Sequence, residues 1–256
     1  AVAQAMGGMT YLTGYPDGAP VKVGPAISDA ATGIHTAAAI LAALHYRERT
    51  GEGQYIDMAM MDTVFSMLEN SVPIMTMLGQ NPQRIGNANP GSAPYNMYQT
   101  SDGNVFIATA NDSLFTRLIT VMGQPELIQD PRFNSNPNRK LHEKEIDPIV
   151  EQWTMQHTTA EVEAMLDEVG VPVASAKSVA ELIEDPQLLH RGMIIEQEVP
   201  GVGVVKYPGN PLKLQLTPPD TSRRAPMLGE HTDEILKDLL HYNDKQIENL
   251  RTEKVI

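Results

Sequence analysis

Residues 24–35 read GPAISDAATGIH, and they place one carboxylate, Asp29, where a loop changes into a long apolar helix. The residues that follow are rich in Ala and Leu at helical spacing, and the pattern stops at Gly51, which is typical of a helix end. Asp29 has the position of an N-cap residue in this pattern. The unpaired N–H groups at a helix start favour an ionised carboxylate, which can serve as a nucleophile or a base.

Spacing alone leaves two interpretations of Asp29. An Asp in front of an apolar helix usually only caps it, so a catalytic role needs support from the rest of the chain. Gly33 lies one turn further on, where glycine costs about 1 kcal/mol relative to alanine. Close approach of a ligand or of another backbone would explain this glycine, and so would simple packing. His35 is six residues from Asp29 and points away from it on an ideal helix, so we interpret it as a structural histidine.

Composition restricts the class of protein. The chain has 256 residues, which is enough for one large or two modest domains, and its formal net charge is −13. That charge argues against broad nucleic-acid binding, which needs clustered Lys and Arg. The chain has no cysteine, which fits the reducing cytoplasm. The seven histidines show no metal-binding spacing, and no run of about 18 apolar residues occurs, so we predict neither a metal site nor a membrane span.

The sequence divides into three predicted segments. Residues 1–80 contain the long helix and a second helix, with a Met-rich run that we interpret as adaptable core. Residues 81–94 are dense in Gly, Pro and Asn and predict a domain boundary. Residues 81–206 then predict a small α+β domain with linkers, beginning with a hairpin over 95–109. Residues 207–256 start Pro-rich and extended, and we expect them to return to the first domain.

Local signals set the predicted elements after the hairpin. Thr158 followed by Glu161 indicates a capping box ahead of a helix that closes at Gly170. Thr232 is expected to cap the final pair of helices. The predicted elements are helices over 113–122, 141–154, 159–169 and 180–183, strands over 173–176 and 194–199, a turn over 201–203, and final helices over 232–240 and 244–251.

Eight short motifs follow one another along the whole chain. They are AQAMGG at 3–8, the block 24–54, QYIDMAMMD at 54–62, the loop 86–95, GVPV at 170–173, DP at 185–186, HRGM at 190–193 and APMLGEHT at 225–232. In this order they resemble the class III CoA-transferases of the CaiB/BaiF type. That family includes formyl-CoA transferase, carnitine CoA-transferase and the α-methylacyl-CoA racemases.

The resemblance implies an α/β fold of the class III CoA-transferase type, in which two subunits interlock as a homodimer. Members of the family carry a long Rossmann-like half before the position where Ala1 stands. We therefore expect this chain to be a C-terminal portion, incomplete at its N-terminus, in which 1–80 is the remainder of the large CoA-binding domain. Much of the family's CoA-binding surface lies in the half that precedes it.

The resemblance also identifies Asp29 as the catalytic carboxylate. In the family this aspartate attacks an acyl-CoA thioester and passes through an anhydride and an aspartyl-CoA thioester before CoA reaches an acceptor carboxylic acid. CoA and acyl-CoA are then substrates, and no tightly bound cofactor is expected. Gly33, Asn87 and Tyr95 are the candidate CoA-binding residues. Asn87 and Tyr95 lie in the loop 86–95, which is either a lid or a plain linker, and its lack of a four-glycine run argues against oxalate or formate as substrates.

Two further functions stay open beside CoA transfer. In an α-methylacyl-CoA racemase or epimerase, Asp29 would act as a base on the α-carbon together with an upstream His. The other alternative is a non-catalytic piece that cannot hold CoA alone and whose early helices leave apolar faces uncovered, so that it aggregates. Glu230 and His231 resemble a catalytic pair, but a structural role beside a helix start explains them better.

Overall fold

The computed structural model describes residues 1–256, and its contacts divide the chain into two compact units, residues 1–176 and residues 177–256. Helices and strands both contribute, which confirms the predicted mixed α/β class. The predicted segment boundaries at residues 81 and 207 stay predictions, because the two units are defined by contacts between residues and not by function. The helices of the first unit are α1 (Val2–Met6), α2 (Met9–Leu12), α3 (Ile27–Thr50), α4 (Met60–Ser66), α5 (Ser71–Leu78), α6 (Asp112–Val121), α7 (Asn136–Leu141), α8 (Glu143–Thr154) and α9 (Thr159–Glu168), with a 3₁₀ turn at Pro125–Ile128.

Residues 1–80 form five helices and contain no strand. The longest, α3, has 24 residues and ends at Gly51 in the left-handed conformation, as its sequence predicts. The second predicted helix is shorter than expected, because α4 ends at Ser66 and the backbone turns at Glu69, where φ is 48°. Helix α5 then begins at Ser71 as a separate element that the apolar spacing did not reveal.

Helix α3 is long and apolar enough to cross a membrane by length and composition, although the sequence predicted no such span. The mean hydropathy of its most apolar 18-residue window is 1.4, and 11% of that window is buried. One helix of this kind is weak evidence, because a core helix of a soluble protein meets the same criteria.

The Met-rich run of residues 1–80 is not core in the structure. Its side chains lie at the surface, with Met77 80% exposed. The prediction that these methionines are core is wrong because the apolar faces of α3, α4 and α5 have no covering element within residues 1–256. Uncovered apolar faces on the early helices were a separate expectation from the sequence. The exposed methionines are Met58, Met60, Met61, Met67, Met75 and Met77.

A three-stranded antiparallel sheet organises the rest of the first unit. Its strands are β1 (Tyr95–Gln99), β2 (Asn104–Ala108) and β3 (Val173–Ser175), in the order β1-β2-β3. The first two form the predicted hairpin, with Gln99 opposite Asn104. Helix α8 contacts β1, and α9 contacts β2 and β3.

The core of the first unit lies between this sheet and its helices. Helix α9 begins with the predicted capping box, in which Thr158 and Glu161 satisfy each other's backbone N–H groups. Apolar side chains at helical spacing on α6, α8 and α9 meet the inner face of β2. The buried cluster consists of Ala93, Tyr98, Val105, Ile107, Phe115, Leu118, Ile119, Met122, Phe133, Ile146, Val150, Trp153, Val162, Leu166 and Val171.

The second unit is built around a two-stranded antiparallel hairpin. Strand β4 (Ile194–Val199) pairs with β5 (Gly203–Pro208) across the predicted glycine turn. Thr232 does not cap the next helix as predicted. It is the first helical residue, after His231 in the N-cap position. The helices of this unit are α10 (Val179–Leu182), α11 (Pro186–His190), α12 (Thr232–Glu234), which continues as a π-helical turn at Ile235–Leu239, and α13 (Asp244–Thr252).

Candidate functional site

Asp29 lies on the first turn of α3, but not at the position that its sequence predicts. The helix begins at Ile27 with Ala26 as its N-cap, so Asp29 is the third helical residue and its own N–H donates to the Ala26 carbonyl at 3.1 Å. Its side chain therefore caps no backbone N–H group. The carboxylate is exposed, forms no ion pair, and accepts one hydrogen bond from the Ser28 hydroxyl at 3.1 Å. It is close to the positive end of the helix dipole and accessible to a reactant.

The backbone that leads into α3 is fixed by helices α1 and α4. The side chain of Gln4 is buried, and its Oε1 accepts the N–H of Val23 at 3.0 Å. Gly7 allows α1 to approach α4, since a Cβ at residue 7 would lie 2.5 Å from Cγ1 of Val64. Gln4 of the AQAMGG motif is thus bonded to the residue directly ahead of the Asp29 block, and Gly7 packs the same motif against α4.

The surface of α3 beside Asp29 is open. Gly33 lies four residues after Asp29, so both occupy the same face of the helix one turn apart. A Cβ at Gly33 would meet no atom within 4 Å, which removes packing within residues 1–256 as the reason for this glycine. Its role in binding CoA stays a prediction. His35 instead contacts its own helix, with Nδ1 2.8 Å from the Ala31 carbonyl oxygen, in accord with a structural histidine.

Asn87 lines a cavity of about 510 Å³ in the first unit. Its Nδ2 donates to the hydroxyl of Tyr15 at 3.2 Å, and the N–H of Gly86 donates to the carbonyl of Gly14 at 2.9 Å. No charged side chain lines the cavity, so it suits an uncharged group that can use an amide, a phenol hydroxyl and backbone atoms. Its lining residues are Thr13, Gly14, Tyr15, Gly18, Ala19, Val21, Gly86 and Asn87.

Tyr15 is the residue of this cavity that sequence reasoning missed. It opens the turn YPDG at 15–18, in which the N–H of Gly18 donates to the Tyr15 carbonyl at 3.1 Å. Pro at the second position and Gly at the fourth are strong turn signals and could have located this loop. The pairing of Tyr15 with Asn87 joins residues 72 positions apart, and no local pattern predicts it.

The structure does not bring all predicted site residues together. Tyr95 lies in β1, where its ring meets Phe106 edge-on at 5.4 Å between centroids. Asp29 is not among the residues that line the Asn87 cavity, and no hydrogen bond joins Asp29 to Asn87 or Tyr95. The predicted CoA-binding roles of Asn87 and Tyr95 therefore rest on the resemblance.

The Glu230–His231 pair has structural partners. Glu230 accepts two hydrogen bonds from Arg224 and one from the N–H of Met227, and these contacts lower the pKa of its carboxyl from 4.5 to about 2. His231 Nδ1 lies 3.0 Å from the carboxylate of Glu234 in α12, the helix that His231 precedes. A carboxylate that is ionised and already held by a guanidinium and a backbone N–H group is suited to fixing the chain ahead of α12.

Three comparisons place the chain among known proteins. The model of the family described as "CoA-transferase family III" matches residues 1–232. The chain is 36% identical over 256 residues to the succinyl-CoA--D-citramalate CoA-transferase of Chloroflexus aurantiacus, covering all of this chain and 64% of that protein. It is 34% identical over 238 residues to the succinate--glutarate CoA-transferase of Agrobacterium fabrum, covering 93% of this chain and 60% of that protein.

The structural comparison agrees with the sequence comparisons. The crystal structure of a CaiB/BaiF family protein from Brucella suis superposes with a TM-score of 0.79 at 37% sequence identity, over 93% of this chain and 61% of that chain. The mixed helix and sheet fold of this chain is thus a shared architecture. The chain belongs to the class III CoA-transferase family. It spans about six-tenths of the length of the curated relatives that it matches.

Proposed function

We propose that the protein transfers coenzyme A from an acyl-CoA to a carboxylic acid, with Asp29 as the covalent nucleophile. The observation that carries this proposal is the exposed carboxylate of Asp29, without an ion pair, beside the open surface at Gly33. Family membership supports the reaction class, because the curated relatives are themselves named CoA-transferases. CoA is a substrate in this proposal and is not a tightly bound cofactor.

The chemistry begins with attack of a carboxylate oxygen of Asp29 on the thioester carbon of the donor. The carbon–sulfur bond breaks, CoA leaves as a thiolate, and a mixed anhydride forms. The thiolate then attacks the aspartyl carbonyl, which releases the donor acid and leaves an aspartyl-CoA thioester. An anhydride and a thioester have similar reactivity, so covalent catalysis divides a difficult exchange into balanced steps.

The second half of the reaction reverses these steps with a new acid. The acceptor carboxylate attacks the aspartyl thioester, and the thiolate leaves again as a second anhydride forms. The thiolate attacks the acceptor carbonyl, which yields the new acyl-CoA and restores the carboxylate of Asp29. In our proposal the loop 86–95 covers this site and limits attack by water on the two intermediates.

Relatives suggest the substrate class. The names of three of them pair succinyl-CoA or succinate with citramalate, mesaconate or glutarate. Each of these acids is a dicarboxylic acid of four or five backbone carbons. We therefore propose succinyl-CoA as the donor and a small dicarboxylic acid as the acceptor. We also propose a cytoplasmic location, which the lack of cysteine fits, and an interlocked homodimer, as the family resemblance implies.

The test is to trap the intermediate on the protein as its gene encodes it. Hydroxylamine converts either an aspartyl anhydride or an aspartyl thioester into a hydroxamate, which peptide mapping by mass spectrometry locates. We expect the hydroxamate on Asp29 after incubation with succinyl-CoA. Replacement of a carboxylate by an amide removes the nucleophile, so Asp29→Asn should abolish the adduct and lower transfer by at least about a thousandfold.

Asp62 provides the matched control. It is the third residue of α4, as Asp29 is of α3, and it is also exposed. Asp62→Asn should keep the adduct and the transfer rate. Deuterium uptake at the α-carbon of a branched acyl-CoA in heavy water, without an adduct, would instead identify Asp29 as the base of a racemase. CoA transfer that survives Asp29→Asn would overturn the assignment of the nucleophile.

A further inference from the structure

The segment that follows α5 is attached to the segment that precedes α3 by several contacts. Arg84 donates from Nη1 to the carbonyl of Tyr11 and from Nη2 to the carbonyl of Gly18, both at 3.1 Å. Gly86 and Asn87 add the bonds to Gly14 and to the Tyr15 hydroxyl described above. The root of the loop 86–95 is therefore held against the turn 15–18, on the same connection that continues to Asp29.

The hydrogen bonds of the Arg84 side chain all belong to this attachment. Both of its terminal nitrogens are used on backbone carbonyls, it forms no ion pair, and its Nε is buried without a partner. A guanidinium held in this way fixes the backbone and offers little to a substrate carboxylate. Tyr15 makes the side-chain contacts to Gly86 and Asn87 in this attachment.

The contact between Tyr15 and Gly86 requires glycine. Gly86 has φ of +64°, and a Cβ there would lie 2.7 Å from Cδ1 and 2.9 Å from Cε1 of the Tyr15 ring. The ring is thus seated directly on the glycine backbone. Tyr15 is nevertheless 65% exposed, so this contact contributes little to the core of the unit. Tyr15 and Gly86 both line the cavity.

We propose that Tyr15 is a positioning residue of the active site. By resting on Gly86 and accepting the amide of Asn87, it sets the position of the loop 86–95 relative to the Asp29 segment. It thereby favours attack of the acceptor carboxylate on the aspartyl-CoA thioester over attack of water. Attack of water gives the Asp29 carboxylate, free CoA thiol and a proton, so that the net reaction is hydrolysis of the acyl-CoA. This inference rests on the proposed function.

The ratio of hydrolysis to transfer tests the role of Tyr15 on the protein as its gene encodes it. Both rates are measured in one reaction with succinyl-CoA and glutarate, by release of free CoA thiol and by formation of glutaryl-CoA. The ratio does not depend on the amount of folded protein, because partial unfolding lowers both rates equally. A purely structural role for Tyr15 would therefore leave it unchanged.

Three variants change the contact of Tyr15 with Gly86 and Asn87 in different ways. Tyr15→Ala removes the ring, and Gly86→Ala displaces the ring while keeping it, so each should raise the ratio by about threefold or more. Tyr15→Phe removes only the hydroxyl and should raise it less. Tyr55 is 89% exposed and donates no side-chain hydrogen bond, so Tyr55→Phe is the control and should leave the ratio as it is.

An unchanged ratio in both Tyr15→Ala and Gly86→Ala, in a protein whose Asp29 forms the hydroxamate, would overturn the role of Tyr15 and leave the proposed function intact. Absence of the hydroxamate from the unsubstituted protein would overturn the proposed function, and the role of Tyr15 with it. The two failures are thus distinguished by whether the adduct forms.

Discussion

Residues 93–171 and residues 1–80 have similar lengths, but the first region buries its apolar side chains and the second leaves most of them exposed. All fifteen side chains of the main buried cluster belong to the first region. In residues 1–80 only Ala31 and Val64 are buried apolar side chains, while Ile34 is 70% and Leu41 67% exposed on α3. The region that carries the proposed nucleophile is therefore the one whose apolar surface the chain does not cover.

This difference shows what each region contributes. Burial of apolar side chains at native density supplies most of the stability of a domain, so residues 93–171 should dominate the unfolding of the first unit. Contiguous exposed apolar surface marks a place where further protein or a ligand binds. The aggregation predicted for the 1–256 polypeptide stays a prediction, and the exposed faces of α3, α4 and α5 are its physical reason.

The largest expected difference in unfolding free energy is between two Leu→Ala substitutions, one in each region. Leu118 is fully buried on α6 and Leu41 is exposed on α3. Leu118→Ala should lower the free energy of unfolding of the 1–256 polypeptide by about 3 kcal/mol, and Leu41→Ala by less than about 0.5 kcal/mol. Urea unfolding followed by circular dichroism measures both. Similar losses for the two variants would show that α3 is covered in solution, for example by self-association.

A second comparison concerns two arginines within the packed region. Arg139 is fully buried, donates to the carbonyls of Ala93 and Phe133 at 2.8 and 2.9 Å, and pairs with Asp112. Arg139→Met leaves two buried carbonyls without a donor and should cost about 2–4 kcal/mol of unfolding free energy. Arg132 pairs with carboxylates at the surface, where water screens ion pairs, so Arg132→Met should cost far less unfolding free energy than Arg139→Met. Equal costs in urea unfolding would contradict this account of Arg139.

The smallest expected effect is a pH dependence of the packed region. Burial, together with the nearby carboxylate of Asp147, raises the pKa of Tyr98 well above 10. The folded protein then keeps the phenol proton at a pH where the unfolded chain loses it, so stability is full below pH 10 and falls as pH rises beyond it. Tyr98→Phe should show a weaker loss of stability above pH 10 in thermal unfolding. An identical alkaline loss in both proteins would assign it to other groups.

Local patterns predicted much of this fold. The glycine end of α3, the capping box of α9 and the hairpin of β1 and β2 each depend on a few neighbouring residues, and each is present. The Met-rich run was wrongly predicted as core. Apolar spacing indicates which face of a helix is apolar, whereas the element that covers this face depends on the rest of the protein. Helix α5 was missed although Asn70 at its N-cap position and Pro73 in its first turn are signals of a new helix start.

The candidate site was only partly predictable for the same reason. Asp29 could be located from its helix, although it lies three residues further into the helix than the N-cap position expected. The Tyr15–Asn87 contact could not be found, because it depends on how two distant loops meet. The proposed reaction class followed from the resemblance of ordered motifs, and fold alone would not have suggested it.

An oxygen label can show whether Asp29 forms covalent bonds to the acyl group and to CoA during transfer. In the proposed steps one oxygen of Asp29 leaves with the donor acid, and one oxygen of the acceptor carboxylate replaces it in each turnover. We would run the protein as its gene encodes it with succinyl-CoA and glutarate labelled with ¹⁸O in both carboxylates, and then map its peptides by mass spectrometry. We expect ¹⁸O in the peptide that carries Asp29 and in no other peptide. Formation of glutaryl-CoA over many turnovers without label in that peptide would contradict it.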